Sequence, residues 1–155
     1  MATISDFEDD DNTLYVGVIG YFSQKFDETE AEEILEDALN DIEEEYIDTG
    51  DFEDIAIVSG LVNAGMNRIA YKVADFHGYK TIGIAPEEAK DMDNYPVDEI
   101  VWSGVEFGDE SEDFIDAIDV LVKIGGGAQS QKELEIAEED GDISILEYDL
   151  DSLGE

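Results

Sequence analysis

The amino-acid sequence predicts an α/β protein whose sheet is mostly parallel. Six short apolar segments alternate along the chain with stretches in which apolar residues recur every three or four positions. Segments of the first kind are typical of buried strands, and stretches of the second kind are typical of amphipathic helices. Their alternation favours parallel strands joined by right-handed crossovers, with helices on both faces of the sheet. We therefore expect a Rossmann-like three-layer α/β/α sandwich.

The strand candidates are short runs rich in Val, Ile and Leu. They cover 14–22, 54–60, 80–86, 98–104, 119–127 and 143–148. Several of these runs are apolar at nearly every position, which indicates strands that are covered on both faces, as parallel strands are.

The helix candidates lie between the strands and cover 27–46, 66–77, 111–118 and 129–139. Asp27 and Glu30 give the first of them a capping-box-like start. The second ends before Gly78, where glycine suits the left-handed cap of a helix. Pro86 opens a further short helical piece after the third strand.

The length of 155 residues suits one domain with a full hydrophobic core and is short for two. We expect that domain over 14–148, between an acidic N-terminal tail (1–13) and an acidic C-terminal tail (149–155). No apolar stretch approaches the roughly 18 to 20 residues that span a bilayer. The N-terminus lacks the basic and apolar regions of a signal peptide, so we expect a cytoplasmic protein.

The charge of the chain is extreme: 44 Asp and Glu residues stand against 7 Lys and Arg residues, a formal net charge of −37. The negative field of such a protein repels phosphate, which disfavours nucleic acid and anionic membranes as partners. Disorder is another interpretation of high acidity, but the regular apolar periodicity argues against it. We interpret the charge as a halophilic surface, because at 1 M salt the Debye length falls to about 3 Å and screens the repulsion.

Glycine and small polar residues follow three of the strands, in 20–25, 59–65 and 125–130. Ligands of parallel sheets bind beyond the carboxyl ends of the strands. Two of these loops lead into helices, whose free N–H groups and dipole favour an anion such as phosphate. We predict ligand or phosphate contacts from Gly20, Tyr21, Ser23, Lys25, Gly60, Asn63, Gly65, Arg68, Gly125, Gly126, Gly127, Gln129 and Ser130.

Two common nucleotide motifs are not matched. The sequence contains no GxxxxGK[ST], which excludes a P-loop. Gly125, Gly127 and Ser130 form a degraded GxGxxG, but it lies near the C-terminus, whereas the dinucleotide fingerprint belongs to the first βαβ unit. The chain has no cysteine and therefore no thiolate metal site or cysteine nucleophile. We expect neither a metal nor a cofactor.

Two segments carry a resemblance to a known family. SGLVNAGMNRIAYKVADFHGYKTIGIAP (59–86) resembles the part of LOG-type proteins that runs from a glycine-rich loop through a helix to a strand ending in proline. GGGAQSQKE (125–133) is similar to the family motif PGGxGTxxE, with Ser130 at the threonine and Glu133 at the glutamate. The chain thus resembles the SLOG superfamily of LOG, YspA-like and DprA-like proteins over most of 14–148.

This resemblance implies a nucleotide-type ligand, a homodimer and a possible catalytic role for Glu133. LOG enzymes release the base from a nucleoside monophosphate by using this glutamate and an arginine, whereas other SLOG domains bind nucleotide-derived signals without turnover. Here the arginine position falls on Glu110, and an acid cannot do what an arginine does for a phosphate. We therefore favour a binding or sensor module over a phosphoribohydrolase, and a structural or interaction protein with a vestigial site is the third hypothesis.

Overall fold

The computed structural model describes residues 12–22 and 25–153. Within them lie six strands: β1 (Thr13–Gly20), β2 (Asp54–Ser59), β3 (Lys80–Ala85), β4 (Glu99–Trp102), β5 (Val120–Ile124) and β6 (Ser144–Tyr148). The order across the sheet is β4-β3-β2-β1-β5-β6, and each neighbouring pair is parallel. The predicted Rossmann-like α/β fold is confirmed, with a sheet that is parallel throughout rather than mostly so.

Four α-helices connect the strands: α1 (Glu28–Ile42), α2 (Gly65–His77), α3 (Ser111–Asp116) and α4 (Ala128–Asp140). The Asp27 side chain caps α1 by accepting a hydrogen bond from the backbone N–H of Glu30 at 3.1 Å, as the capping pattern predicts. Gly78 ends α2 in the left-handed conformation, at φ 74°. A π-helical turn, Glu43–Ile47, extends α1, and a 3₁₀ turn, Glu87–Asp91, follows β3.

The hydrophobic core has one layer on each face of the sheet. Leu35 and Leu39 of α1 and Ile69 of α2 belong to one buried cluster. Phe114 of α3 and Leu134 of α4 belong to the other. Strand residues alternate between the two clusters because successive side chains of a strand point to opposite faces. Helices therefore cover both faces, and the three layers follow.

The chain order reverses beside β1. From β1 the chain builds outward through β2, β3 and β4, and it then returns to place β5 on the other side of β1. The loops after β1 and β5 therefore diverge to opposite sides of the sheet and leave a crevice between them. This is the topological switch point, where ligands of open parallel sheets bind.

The structure describes most of the predicted C-terminal tail but little of the predicted N-terminal tail. Residues 1–11 of the N-terminal tail lie outside the described residues. In the C-terminal stretch, Leu150 is buried in the core layer of α1 and α2, and Leu153 donates its backbone N–H to Lys25 O at 2.7 Å. Burying Leu150 offsets the cost of ordering this acidic segment. No helix in the described part of the chain is long and apolar enough to cross a membrane.

Candidate functional site

The loops at the carboxyl ends of β1, β2 and β5 are held together by hydrogen bonds to backbone oxygens at the end of β1. The N–H of Met66, in the first turn of α2, donates to Tyr21 O at 2.8 Å. The Ser130 hydroxyl, in the first turn of α4, donates to Gly20 O at 2.8 Å. Both helices that follow glycine-rich loops are thereby joined to the end of β1, and the three loops surround the switch point.

Gly65 and Gly126 permit this close approach. Gly65 has φ +57°, and a Cβ added there would lie 2.5 Å from Tyr21 O. Gly126 has φ +119°, and an added Cβ would lie 2.7 Å from Ser130 Cβ. Only glycine tolerates both the conformation and the contact. These two glycines, which the sequence associates with a ligand, thus have a structural role in the loops.

A cavity of about 370 Å³ opens between these loops, which lies within the usual size range of small-molecule sites. Its wall is largely apolar and includes three aromatic rings, those of Phe22, Phe107 and Phe114. Phe22 and Phe107 are partly exposed, at 44% and 39%, whereas Phe114 is buried in the core. The cavity therefore has aromatic rings both at its mouth and in its depth.

Ser59 and Asn67 contribute a polar patch to the cavity wall. The Ser59 hydroxyl lies 2.8 Å from Val18 O and 2.9 Å from Asn67 Oδ1. The Asn67 amide donates in turn to Val62 O at 3.2 Å. These bonds fix the amide at the carboxyl end of β2, where the chain turns into the loop before α2.

Two carboxyl groups, those of Glu110 and Glu133, line the same cavity. Both residues are buried, at 5% and 6% exposure. Glu133 Oε2 accepts a hydrogen bond from the Ser111 hydroxyl at 3.1 Å, and Glu110 Oε1 accepts one from the Gly108 N–H at 2.6 Å. Because Ser111 follows Glu110 in the chain, the two carboxyl groups belong to one part of the wall.

Burial dominates the electrostatics of these two groups. Loss of solvent raises the pKa of Glu133 to about 7; the nearby Glu110 adds to the rise, whereas hydrogen bonds from Ser111 and Gln129 oppose it. Burial likewise raises the pKa of Glu110. A carboxyl group whose pKa lies near 7 can donate or accept a proton at neutral pH, which is the property of a general acid or base.

No lysine or arginine lines the cavity among the described residues. Lys132 acts electrostatically on Glu133, and its ammonium group lies 3.3 Å from Gly108 O. Arg68 forms a surface ion pair with Glu28 at 3.1 Å, Lys123 pairs with Glu147 on the neighbouring strand, and Lys25 is exposed. The basic residues near the loops are therefore not gathered at the cavity wall.

The structure brings part of the predicted residue set to the cavity: Gly20, Gly60, Gln129, Ser130 and Glu133. Gly125, Gly126 and Gly127 shape the loop into α4 without lining the cavity. Ser23 lies outside the described residues.

Two other predicted contact residues, Tyr21 and Asn63, do not line the cavity and have hydrogen bonds within the protein. The Tyr21 ring stacks with Phe26 at 5.9 Å between centroids, and its hydroxyl donates to Leu150 O at 2.7 Å. Asn63 pairs through its backbone N–H with Asp93 O at 2.8 Å, and its buried side-chain oxygen has no hydrogen-bond partner.

The sequence prediction omits much of the cavity wall. Phe22, Ser59 and Asn67 lie beside the predicted loop residues, so a wider selection around each glycine would have found them. Phe107 and Phe114 follow β4, whose carboxyl end carries no glycine-rich motif. Only the fold brings these two rings to the switch point.

No protein-family model matches the sequence, and no curated protein matches it either. Solved structures do match the fold. The molybdenum cofactor carrier protein of Chlamydomonas reinhardtii superposes with a TM-score of 0.62 and 21% identity, over 87% of this chain and 76% of its own. The molybdenum cofactor binding protein of the phototrophic bacterium Rippkaea orientalis gives 0.65 and 18%, over 92% and 78%.

A third solved structure, that of a structural genomics target, gives a TM-score of 0.61 and 21% identity, over 83% of this chain and 71% of its own. At such identities the likeness shows the fold. It supports the Rossmann-like architecture and leaves membership of the LOG-type family as a proposal.

Proposed function

We propose that this chain is a binding or sensor module of the SLOG type that takes a nucleotide or nucleotide-derived small molecule into the cavity. One observation carries the proposal: a cavity of about 370 Å³ lies at the switch point of the sheet and contains a buried carboxyl group, that of Glu133. Buried ionisable groups in a concave site are favourable candidates for ligand contact, because their burial costs free energy that packing alone does not require.

The N-terminus of α4 is the proposed binding point for a phosphate group. Gly127 precedes the helix, which is 13 residues long. The first N–H groups of a helix have no partner within it, and its dipole places positive potential there. An anion bound at this point needs no lysine or arginine, which suits a site that has neither among its described wall residues.

The aromatic part of the wall is the proposed contact surface for a planar ring. Phe22, Phe107 and Phe114 line the same cavity as Glu133. Stacking of a base on such rings is worth about 1–3 kcal/mol. The names of two structural neighbours refer to the molybdenum cofactor, so proteins of this fold include ones that take a small molecule.

The test is a binding screen at neutral pH, in about 2–3 M KCl, where screening of the acidic surface is strong. Nucleoside monophosphates, ADP-ribose and NAD are added separately, and the melting temperature and any released base are measured together. A rise in melting temperature without released base supports the binding module. No rise with any of these ligands contradicts it and favours an interaction protein.

Hydrolysis of the N-glycosidic bond is the second candidate function. The pKa of about 7 at Glu133 suits a group that donates a proton to a leaving base or takes one from water. Base release that is lost in Glu133→Gln and retained in Glu135→Gln, an exposed position of the same helix, would support it.

A homodimer is part of the same proposal, because the LOG-type resemblance implies one. Light scattering in high salt measures the mass directly. A mass near 17 kDa, that of one chain, would contradict the dimer.

A further inference from the structure

The two carboxyl groups of the cavity restrict the chemistry of the ligand. Glu110 and Glu133 are each more than nine-tenths buried, and both residues line the same cavity as the three phenylalanine rings. A carboxylate has two oxygens and about four acceptor sites. The Ser111 hydroxyl and the Gly108 N–H each occupy one of these sites, and Gln129 gives Glu133 a further hydrogen bond. Acceptor capacity remains on both groups.

The electrostatic balance of the cavity favours a ligand that donates hydrogen bonds. Glu110 and Glu133 repel each other, and Asp109 adds a negative charge beside Glu110. Lys132 is the nearby positive charge, and it is exposed. A phosphate or carboxylate placed against this wall would add to the repulsion, whereas paired N–H donors would lower the cost of ionising the buried groups.

We propose that Glu110 and Glu133 select a ring with a 2-amino-4-oxo edge, as found in guanine and in pterins, and discriminate against adenine-type rings. Such an edge presents a ring N–H beside an exocyclic amine, so that two parallel donors match the two oxygens of a carboxylate. Adenine presents its amine beside a ring nitrogen that only accepts, and this nitrogen would face a carboxylate oxygen. The inference rests on the proposed function and names the ligand class of the same site.

The phosphate end of a nucleotide is compatible with this orientation. The first turn of α4 contains Gln129 and Ser130, and Glu133 lies one turn further along the same helix. A ligand whose ring contacts Glu133 can therefore place its phosphate at the start of the same helix. The aromatic rings lie along the same wall and can stack on the base.

The test compares GMP with AMP, which share the ribose and the phosphate and differ in the ring. Dissociation constants are measured calorimetrically at pH 8 and pH 6 in about 2–3 M KCl, where surface repulsion is screened. At pH 8 we expect GMP to bind about tenfold or more tightly than AMP, the discrimination typical of one paired hydrogen-bond contact to a base. Taking the ratio of the two constants cancels the titration of the phosphate.

The pH dependence separates the two rings further. The carboxylate that accepts from guanine must be ionised, whereas adenine can pair with a protonated carboxyl group. With a Glu133 pKa of about 7, the preference for GMP falls by at least about tenfold between pH 8 and pH 6, because GMP loses its ionised partner while AMP gains a protonated one. The groups that set this titration are Glu110, Lys132, Ser111 and Gln129.

Variants test which side chains are responsible for the preference for GMP over AMP. Glu133→Gln and Glu110→Gln keep the side-chain shape but place an amide donor where an acceptor is needed. Each should reduce the GMP preference, and Glu133→Gln should also remove its pH dependence. Glu135→Gln, exposed on the same helix, should change neither. AMP that binds as tightly as GMP at pH 8, or a preference unchanged in both cavity variants, would overturn the inference while leaving the proposed function standing.

Neopterin has the same ring edge but is not a nucleotide. It therefore distinguishes a pterin ligand from a guanine nucleotide. Neopterin binding that requires Glu133, without GMP or AMP binding, would support the ring selection and contradict a nucleotide ligand. Absence of binding by all three compounds would overturn the inference, and the proposed function would also be overturned if ADP-ribose, NAD and the other nucleoside monophosphates failed to bind.

Discussion

At the scale of single residues, Glu133 shows how a buried group differs from a helix-dipole partner. A glutamate in the first turns of a helix is ordinarily exposed and interacts with the N-terminal dipole from the surface. Glu133 is instead 6% exposed, with Ser111 as its hydrogen-bond donor. Its carboxyl group has therefore lost most of its hydration. Ionisation of this group consequently makes the folded protein less stable.

The first prediction follows from that loss. Glu133 has a folded-state pKa of about 7 against a usual value of 4.5, so its effect on stability is complete below pH 4.5 and is lost as the pH rises through 7. Replacing the carboxyl group by an amide removes this loss. Glu133→Gln should therefore raise the free energy of unfolding at pH 8 by on the order of 2 kcal/mol, and by much less at pH 5.

Urea unfolding of wild type and variant at both pH values measures this difference. Glu135→Gln is the matched control, because its side chain is exposed and its removal should have a small and pH-independent effect. A Glu133→Gln variant that changes stability equally at pH 5 and pH 8 would show that the buried carboxyl group does not titrate as described.

At the scale of elements, the site is made by loops that meet where three strands end. Met66 and Ser130 bring the first turns of α2 and α4 to the end of β1. Gly65 is a tight point of this junction, since backbone atoms of Tyr21 and Phe22 lie where its side chain would be. The loop after β2 therefore positions the loop after β1, and a change in one displaces the other.

The second prediction compares two glycines with similar backbone conformations. Gly65 and Gly78 have φ values of +57° and +74°, but an added Cβ at Gly78 meets nothing within 4 Å. Gly78→Ala should cost about 1 kcal/mol, from the left-handed conformation alone. Gly65→Ala should cost about 3 kcal/mol or more, because the steric overlap with backbone is added.

Chemical denaturation gives both costs, and binding of the ligand found in the screen provides a second readout. Gly65→Ala should weaken binding and Gly78→Ala should not. Gly78 ends α2 close to the amino end of β3, whereas the cavity lies at the carboxyl ends of the strands. Equal losses of stability in the two variants would mean that the loop after β1 moves away from the added methyl group without lowering the free energy of unfolding.

At the scale of the whole molecule, negative charge dominates. Five of the seven Lys and Arg side chains form ion pairs with carboxylates in the described part of the chain, and the formal net charge is −37. Surface pairs of this kind are worth about 0–1 kcal/mol each. Attraction within these pairs therefore does not offset the repulsion among the remaining carboxylates.

The third prediction concerns salt. Raising KCl from 0.1 M to 1 M shortens the Debye length from about 10 Å to about 3 Å, which screens the carboxylates from one another. We expect the melting temperature to rise by on the order of 10 °C over this range. Calorimetry at constant pH measures it, with sucrose as a control that stabilises without screening charge. A melting temperature that is the same in dilute buffer and in molar salt would contradict the halophilic interpretation.

The sequence by itself determines the order and type of the elements. Apolar runs and helical spacing are local properties, so β1 to β6 and α1 to α4 can be predicted to within a few residues, as can the caps at Asp27 and Gly78. The same local patterns identify the glycine loops, and a motif resemblance singles out Glu133. These predictions need no knowledge of what packs against what, because backbone geometry and side-chain spacing specify them.

Only the tertiary structure decides what these elements form together. It places Phe107, Glu110 and Phe114, which follow β4, in the same cavity as the loops after β1, β2 and β5. It also shows the partners of Tyr21 and Arg68 within the protein, a ring stacked on Phe26 and an ion pair with Glu28, which the sequence does not reveal. Burial and charge environment depend on residues that are distant in the chain. For that reason the sequence can name Glu133, but only the fold removes it from water and sets it beside Glu110.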